Sequence, residues 1–141
     1  MAREKVVMSF VTDTHALVWY LTDDPQLSRR AKRLFESVDD SAAYAYVSCI
    51  TFFELVYLVE KKKLAVDLEQ IFTMISSATN YRIEPVCLPI IEASRKIPRG
   101  KVADPWDRLI AATSMHLRLP LVTKDAKLKI AGKKMGVDVV W

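Results

Sequence analysis

Short apolar runs alternate with longer segments of mixed character along the whole chain. The first run, residues 6–11, is interrupted only by Ser9 and is closed by Asp13, which predicts a buried strand rather than an exposed one. The same criterion predicts further strands at residues 45–48, 81–86, 121–123 and 137–141.

Helical spacing of apolar residues occupies the segments between these runs. Over residues 27–38 apolar side chains recur every three or four positions, and arginines and lysines occupy the other face, as in an amphipathic helix. The predicted helices are residues 14–21, 27–38, 48–59 (starting at Ser48 or Thr51), 67–76, 89–97, 105–117 and 125–134. Because strands and helices alternate, we expect an α/β fold with an open parallel sheet covered by helices on both faces.

The length of 141 residues fits a single domain, residues 1–141. Cys49 and Cys87 lie in apolar stretches, so two core thiols in a reducing compartment are expected rather than a disulfide. The charged residues 1–5 are followed by too few apolar residues for a signal peptide or a membrane span. These features predict a cytoplasmic protein with no membrane partner.

Acidic residues follow or flank the predicted strands at one edge of the sheet. Parallel sheets bind ligands outside the carboxyl ends of their strands, and the residues expected at that edge are Asp13, Glu54, Asp104, Asp107 and Asp125. Together, these carboxylates would repel one another and raise one another's pKa values. A hard divalent cation, Mg²⁺ or Mn²⁺, would remove that conflict.

Glu54 lies among apolar residues of the third predicted helix. A buried carboxylate normally needs a compensating partner, so a positive group should lie opposite it. An ion pair with Arg108 is the structural alternative to a metal-binding role.

Helix capping is the alternative explanation for the other acids. In the order Asp-Pro-Trp-Asp, Asp104 fits an N-cap and Asp107 the third position of a capping box. Asp125 could cap the last helix, and Asp13 could be an ordinary turn residue. Each acid alone is therefore ambiguous, and only their convergence favours a metal site.

Carboxylate-held Mg²⁺ frequently serves phosphodiester hydrolysis. Zinc is disfavoured, because His15 and His116 have no partners at ligand spacing. No glycine-rich phosphate loop follows the first strand, and no serine has the context of a nucleophile elbow. A phosphoaspartate enzyme is disfavoured, because no second acid lies beside Asp13.

Several motifs resemble the PIN-domain family over nearly the whole chain. They are Asp-Thr-His-Ala-Leu at residues 13–17, Glu54, Asp-Pro-Trp-Asp-Arg-Leu-Ile-Ala-Ala-Thr at 104–113, Leu-Val-Thr-Lys-Asp at 121–125, and Gly-Val-Asp-Val-Val-Trp at 136–141. The chain looks like the toxin branch of that family, the VapC-like ribonucleases of type II toxin–antitoxin systems. The resemblance implies a single domain with a five-stranded parallel sheet and bound Mg²⁺ or Mn²⁺.

The resemblance also implies roles for individual residues. The family's acidic quartet is matched by Asp13, Glu54, Asp107 and Asp125. Asp104 matches an extra acid common in this branch, and Thr123 matches a hydroxyl residue that orients the site. Trp106 and Val102 depart from the commoner residues at their positions, which puts the choice of substrate in doubt more than activity.

The family's activity and partners follow as further expectations. A metal-dependent endoribonuclease would cleave RNA, with transfer RNA or ribosomal RNA as substrates, and would form a homodimer held inactive by a cognate antitoxin. A non-catalytic RNA-binding or scaffold module of the same fold is the alternative. Apolar residues on the third and fourth helices suggest a surface for a second copy or an antitoxin helix.

The chain has a formal charge of +4, a mild bias toward polyanions. Basic residues near the acids are candidates for phosphate contacts that would make RNA binding salt-dependent: Arg99, Lys101, Arg108 and Lys124. For Arg108 we favour a structural role, neutralising Glu54, over a phosphate contact. Trp19, Tyr20 and Trp106 could stack on bases, but aromatic residues at these spacings usually belong to a core.

Overall fold

The computed structural model describes residues 8–141. Its elements, in chain order, are β1 (Phe10–Thr12), α1 (Thr14–Leu21), α2 (Arg29–Asp39), β2 (Ala45–Ser48), α3 (Cys49–Glu60), α4 (Leu68–Ser77), β3 (Tyr81–Glu84), α5 (Leu88–Ser94), α6 (Pro105–Leu117), β4 (Leu121–Val122), α7 (Ala126–Met135) and β5 (Val139–Val140).

The five strands form one parallel sheet in the order β3-β2-β1-β4-β5. This confirms the predicted α/β class, with β1 at the centre of the sheet. The predicted strand at residues 6–11 begins later, at Phe10, and extends to Thr12; its positions 6 and 7 lie outside the described residues. The two edge strands of the sheet are also shorter than expected. β3 covers Tyr81–Glu84 of the predicted 81–86, and β5 covers Val139–Val140 of the predicted 137–141.

Helices cover both faces of the sheet because neighbouring strand residues point in opposite directions. Phe10 of β1 belongs to the core packed by α1, α2 and α4, whereas Val11 belongs to the core packed by α5, α6 and α7. In β4, Leu121 and Val122 divide between the two cores in the same way. The two-sided burial explains why these strands are apolar throughout.

Two local expectations were wrong. Helix α5 ends at Ser94 instead of residue 97, because the residue before a proline disfavours helical geometry and Pro98 follows Ile97. Cys49 is exposed at the start of α3 rather than buried, and Cys87 is half-buried; both are free thiols. Within residues 8–141, no helix is long and apolar enough to cross a membrane.

Helix α7 approaches the backbone after it so closely that only glycine fits at position 132. A Cβ on Gly132 would lie 2.8 Å from the Val137 carbonyl oxygen. Gly132→Ala should therefore lower the free energy of unfolding by about 1–2 kcal/mol, because the overpacking outweighs the gain in helix propensity. Urea denaturation would measure this, with Gly100→Ala as the control, since nothing lies within 4 Å of that site. A Gly132→Ala protein as stable as its control would contradict the close approach.

Candidate active site

Asp13 lies directly after the central strand and is held by both of its carboxylate oxygens. Oδ1 accepts a hydrogen bond from the backbone N–H of Ala16 (2.8 Å) and thereby caps α1. Oδ2 accepts from the Thr123 hydroxyl (2.5 Å), which follows the neighbouring strand β4. Burial raises the pKa of Asp13, and these two hydrogen bonds offset part of the rise. The carboxylate is thus fixed in one orientation at the carboxyl edge of the sheet.

Glu54 is also buried, but its partner is a hydroxyl group rather than a cation. The Thr14 hydroxyl donates to Glu54 Oε1 at 2.6 Å, and the Thr51 hydroxyl lies 3.3 Å from that of Thr14. Among the described residues, no lysine, arginine or histidine lies within salt-bridge distance of Glu54. No side chain among the described residues therefore supplies the positive group expected opposite Glu54, and a bound cation stays a prediction.

Arg108 faces away from Glu54 and joins α6 to the end of α5. Its guanidinium donates to the backbone carbonyls of Ser94 (3.1 Å) and Ile97 (3.2 Å). The proposed Glu54–Arg108 ion pair is not formed. The favoured role of Arg108, neutralising Glu54, was therefore wrong, while its candidacy as a phosphate contact stays a prediction.

Asp104 and Asp125 cap helices, as predicted by the alternative to a metal-binding role. Asp104 Oδ1 accepts from the N–H groups of Trp106 (2.8 Å) and Asp107 (3.2 Å) at the start of α6. Asp125 Oδ1 accepts from Lys127 (2.7 Å) and from the next residue at the start of α7. In the part of the chain that is described, no hydrogen bond reaches Oδ2 of either acid. Capping therefore leaves one oxygen of each carboxylate available for a ligand.

Asp107 differs from the other acids because its carboxylate accepts no hydrogen bond within residues 8–141. The first half of the predicted capping box forms at Asp104, but the reciprocal bond from the Asp104 backbone N–H to the Asp107 carboxylate does not. Burial and, after it, the negative charges of Asp104, Asp125, Glu54 and Asp13 together raise the pKa of Asp107 to about 7. No structural role in the described chain explains this carboxylate.

These five acids line one cleft of about 420 Å³. We call them the acidic cluster: Asp13, Glu54, Asp104, Asp107 and Asp125. The remaining lining residues are His15, Trp19 and Lys124. The convergence predicted from the order of the strands is therefore present in the fold.

The donor chemistry of the acidic cluster fits a hard divalent cation, since every acidic ligand offers oxygen. As the side chains stand, however, no three of the described acidic, histidine or cysteine residues are close enough together to hold a metal ion. Hydrogen bonds hold four of the five carboxylates in their present positions. Among the described residues Asp107 has neither a hydrogen bond nor a salt-bridge partner, so its charge is the least compensated of the five.

The basic candidates divide into two groups by position. Lys124 is exposed and lines the cleft, with Nζ 5.7 Å from the centroid of the Trp19 ring. Arg99 and Lys101 are exposed in the loop before α6 and do not line the cleft.

The three aromatic residues considered for base stacking have different surroundings. Tyr20 stacks on Phe35 in the core (4.7 Å between centroids), and Trp106 packs against Phe53 (5.4 Å). Trp19 alone among them lines the acidic cleft. From the sequence, Trp19 was expected in the core and His15 had no role at the site; their spacing of four residues in one helix was the signal that could have joined them.

Comparison with known families and proteins identifies the chain's relatives. The sequence pattern of the PIN domain matches residues 10–134.

The chain belongs to the PIN-domain family.

Individual relatives agree with this assignment. Ribonuclease VapC22 of Mycobacterium tuberculosis is 28% identical over 117 residues, covering 83% of this chain and 87% of the relative. A toxin–antitoxin complex from Klebsiella pneumoniae is 25% identical with a TM-score of 0.60, covering 94% of this chain and 97% of the other. FitAcB from Neisseria gonorrhoeae shares the fold at 22% identity and a TM-score of 0.64, over 94% and 96% of the two chains.

In this PIN domain, Thr123 should act by orienting Asp13. Thr123→Val removes the hydroxyl that donates to Asp13 Oδ2 and should lower metal-dependent activity or metal affinity by about 10- to 100-fold, the usual effect of losing a ligand's supporting hydrogen bond. Thr123→Ser keeps the donor and should retain most of the activity. Titration of activity against metal concentration distinguishes the two variants. If the valine and serine variants lose activity equally, Thr123 acts through packing rather than through its hydrogen bond to Asp13.

Proposed function

We propose that this PIN domain is an endoribonuclease that hydrolyses RNA phosphodiester bonds with Mg²⁺ or Mn²⁺ as cofactor. The observation that carries the proposal is Asp107, a carboxylate with no hydrogen bond in the described chain, surrounded by four other acids in one cleft. The name of its relative Ribonuclease VapC22 supports the same activity. Transfer RNA and ribosomal RNA are the substrates we expect.

The acidic cluster would hold the metal. When bound, Mg²⁺ or Mn²⁺ supplies charge stabilisation at the attacked phosphate and favours ionisation of a bound water. In the net reaction a water oxygen bonds to phosphorus, and the bond from phosphorus to the 3′ oxygen breaks. One proton of the water ends on the 3′ oxygen and the other on the new 5′-phosphate or in solvent.

The protein's own residues prepare this site before any ligand binds. Thr123 holds Asp13 and Thr14 holds Glu54, so two of the acids have fixed orientations. Backbone N–H groups at two helix starts fix Asp104 and Asp125. These hydrogen bonds limit the freedom that the four carboxylates would lose on binding a cation, although the acids would still have to move closer together to ligate one.

The test is cleavage of a mixture of total transfer RNA and ribosomal RNA by the purified protein, with Mg²⁺, with Mn²⁺ and with EDTA. We expect cutting with either metal and none with EDTA. Cutting that continues in EDTA would contradict the metal-dependent mechanism. A folded, metal-binding protein that leaves all RNA intact would favour the RNA-binding module of the same fold.

We further propose that the protein is the cytoplasmic toxin of a toxin–antitoxin pair and forms a homodimer. One of its structural relatives was determined as a toxin–antitoxin complex. Phe53 and Tyr57, one turn apart on α3, are 57% and 40% exposed, and Met74 on α4 is 43% exposed. Such large exposed apolar side chains favour a protein partner. A short gene directly upstream and a dimer in sedimentation would support these assignments, and a monodisperse monomer that binds no exposed-patch dye would oppose the homodimer.

A further inference from the structure

One wall of the acidic cleft is aromatic. His15 and Trp19 lie one turn apart on α1, with ring centroids 5.8 Å apart and planes inclined by 54°. His15 is exposed and Trp19 is half-buried, and both line the cleft together with the acidic cluster. A ligand held by the acids would therefore have these rings beside it.

The Trp19 ring is supported by its neighbours. Trp141 packs against it edge-on, with centroids 5.9 Å apart and planes inclined by 65°. The Lys124 ammonium lies 5.7 Å from the Trp19 centroid, within the range of a cation–π contact. A ring held in this way can accept a stacked group at little entropic cost.

The same two rings also border a second cavity of about 520 Å³. Its walls include the apolar side chains of Leu58 and Val66, and its polar groups include Asp24, Gln26 and Lys63. A cavity that combines apolar walls with a few hydrogen-bonding groups suits a flat heterocycle. Lys124 is the cationic side chain that lines the acidic cleft, so it is the group placed to meet a phosphate beside the rings.

We propose that His15, Trp19 and Lys124 form a docking site for one unpaired nucleobase of RNA, next to the phosphate bound at the acidic cluster. This proposal rests on the ribonuclease function proposed above. The base stacks on the aromatic wall, while Lys124 meets the adjoining phosphate. Unpaired bases are recognised in this manner, because a base within a duplex has no free face to offer.

Binding can be measured without cleavage in the Asp107→Asn background. The probe is a short unstructured oligoribonucleotide with Mn²⁺ present, compared with the same oligonucleotide carrying abasic positions. Trp19→Leu should weaken binding of the intact probe by about 10- to 100-fold, the range for loss of one base–aromatic stack. It should leave binding of the abasic probe nearly unchanged. Trp106→Phe is the control, since Trp106 packs on Phe53 and lies outside the cleft lining.

His15→Ala keeps the proposal testable if Trp19→Leu fails to fold, because His15 is exposed. It should weaken binding of the intact probe severalfold and binding of the abasic probe not at all. In the active protein, the same two variants should raise KM for single-stranded RNA more than they lower kcat.

The outcomes separate this proposal from the proposed function. If the variants bind and cut RNA as the parent does, the docking site is overturned and the ribonuclease stands. If the parent cuts no RNA but the Trp19 and His15 variants lose binding of the intact probe alone, the docking site stands and the activity does not. If the variants no longer bind an antitoxin but bind the RNA probe as the parent does, the aromatic wall binds a protein partner and the proposal is overturned.

Discussion

The Asp107→Asn variant is expected to lose metal-dependent RNA cleavage by about 100- to 1,000-fold and yet to fold more stably than the parent in metal-free buffer. The activity falls because the amide removes a negative ligand from the site of the cation, and single catalytic groups commonly contribute effects of this size. The stability rises because the half-buried Asp107 carboxylate has no compensating hydrogen bond or cation among residues 8–141.

The size of the stability gain follows from the pKa of Asp107. Burial first, and then the four neighbouring acids, raise it from 3.8 to about 7. The side chain is partly exposed, so solvent screening reduces the corresponding free energy, and we expect a gain of about 1–2 kcal/mol near pH 8. Chemical denaturation in EDTA would measure it.

Asp40→Asn is the matched control for this experiment. Asp40 is exposed after α2 and does not line the acidic cleft. Its amide variant should cleave RNA as the parent does and should change stability by less than about 0.5 kcal/mol. If Asp107→Asn cleaves RNA as fully as the parent, the acidic cluster is not the catalytic site. If the variant is less stable than the parent, Asp107 has a structural partner.

The metal-free protein should become less stable as the pH rises, and divalent metal should reverse this trend. Asp107 has a folded pKa raised above its unfolded value. Its favourable contribution is therefore complete below about pH 4 and is lost as the pH rises through about 7. Asp13 shifts in the same direction. Between about pH 5 and pH 8 we expect these groups to lower the free energy of unfolding in EDTA by about 1–2 kcal/mol.

Addition of Mn²⁺ or Mg²⁺ should raise stability most at the higher pH, because the ligands must be ionised to bind it. A metal concentration 100 times Kd would add about 3 kcal/mol. Thermal unfolding at both pH values, with and without metal, measures the effect. In Asp107→Asn the metal-dependent increment should shrink. An increment independent of pH, or none at all, would contradict binding at the acidic cluster.

Structural features that depend only on residues near one another in the sequence were predicted well. The alternation of apolar runs and helical spacing indicated a parallel α/β sheet, because strand and helix periodicity are local properties of the chain. The Asp104 cap is equally local, since donor and acceptor lie within three residues. Element ends were less predictable, as the shortened α5 and β5 show.

Contacts between distant residues could not be predicted in this way. The hydrogen-bond partner of Glu54 is Thr14, 40 positions earlier, and nothing near Glu54 in the sequence indicates that a hydroxyl donates to it. Trp19 and Tyr20 are neighbours in the chain, yet one lines the acidic cleft and the other stacks in the core. Adjacent helical residues point about 100° apart, so only packing decides which of them reaches the site.

The sequence by itself determined the order of strands and helices, the class of the fold and the placement of acids near the carboxyl ends of strands. The tertiary structure decided that Asp107 is left without a hydrogen bond in the described chain. It also decided that an aromatic wall borders the acids. The physical reason is that burial and the electrostatic field at a carboxylate depend on every group within a few ångströms, and here those groups come from both halves of the chain.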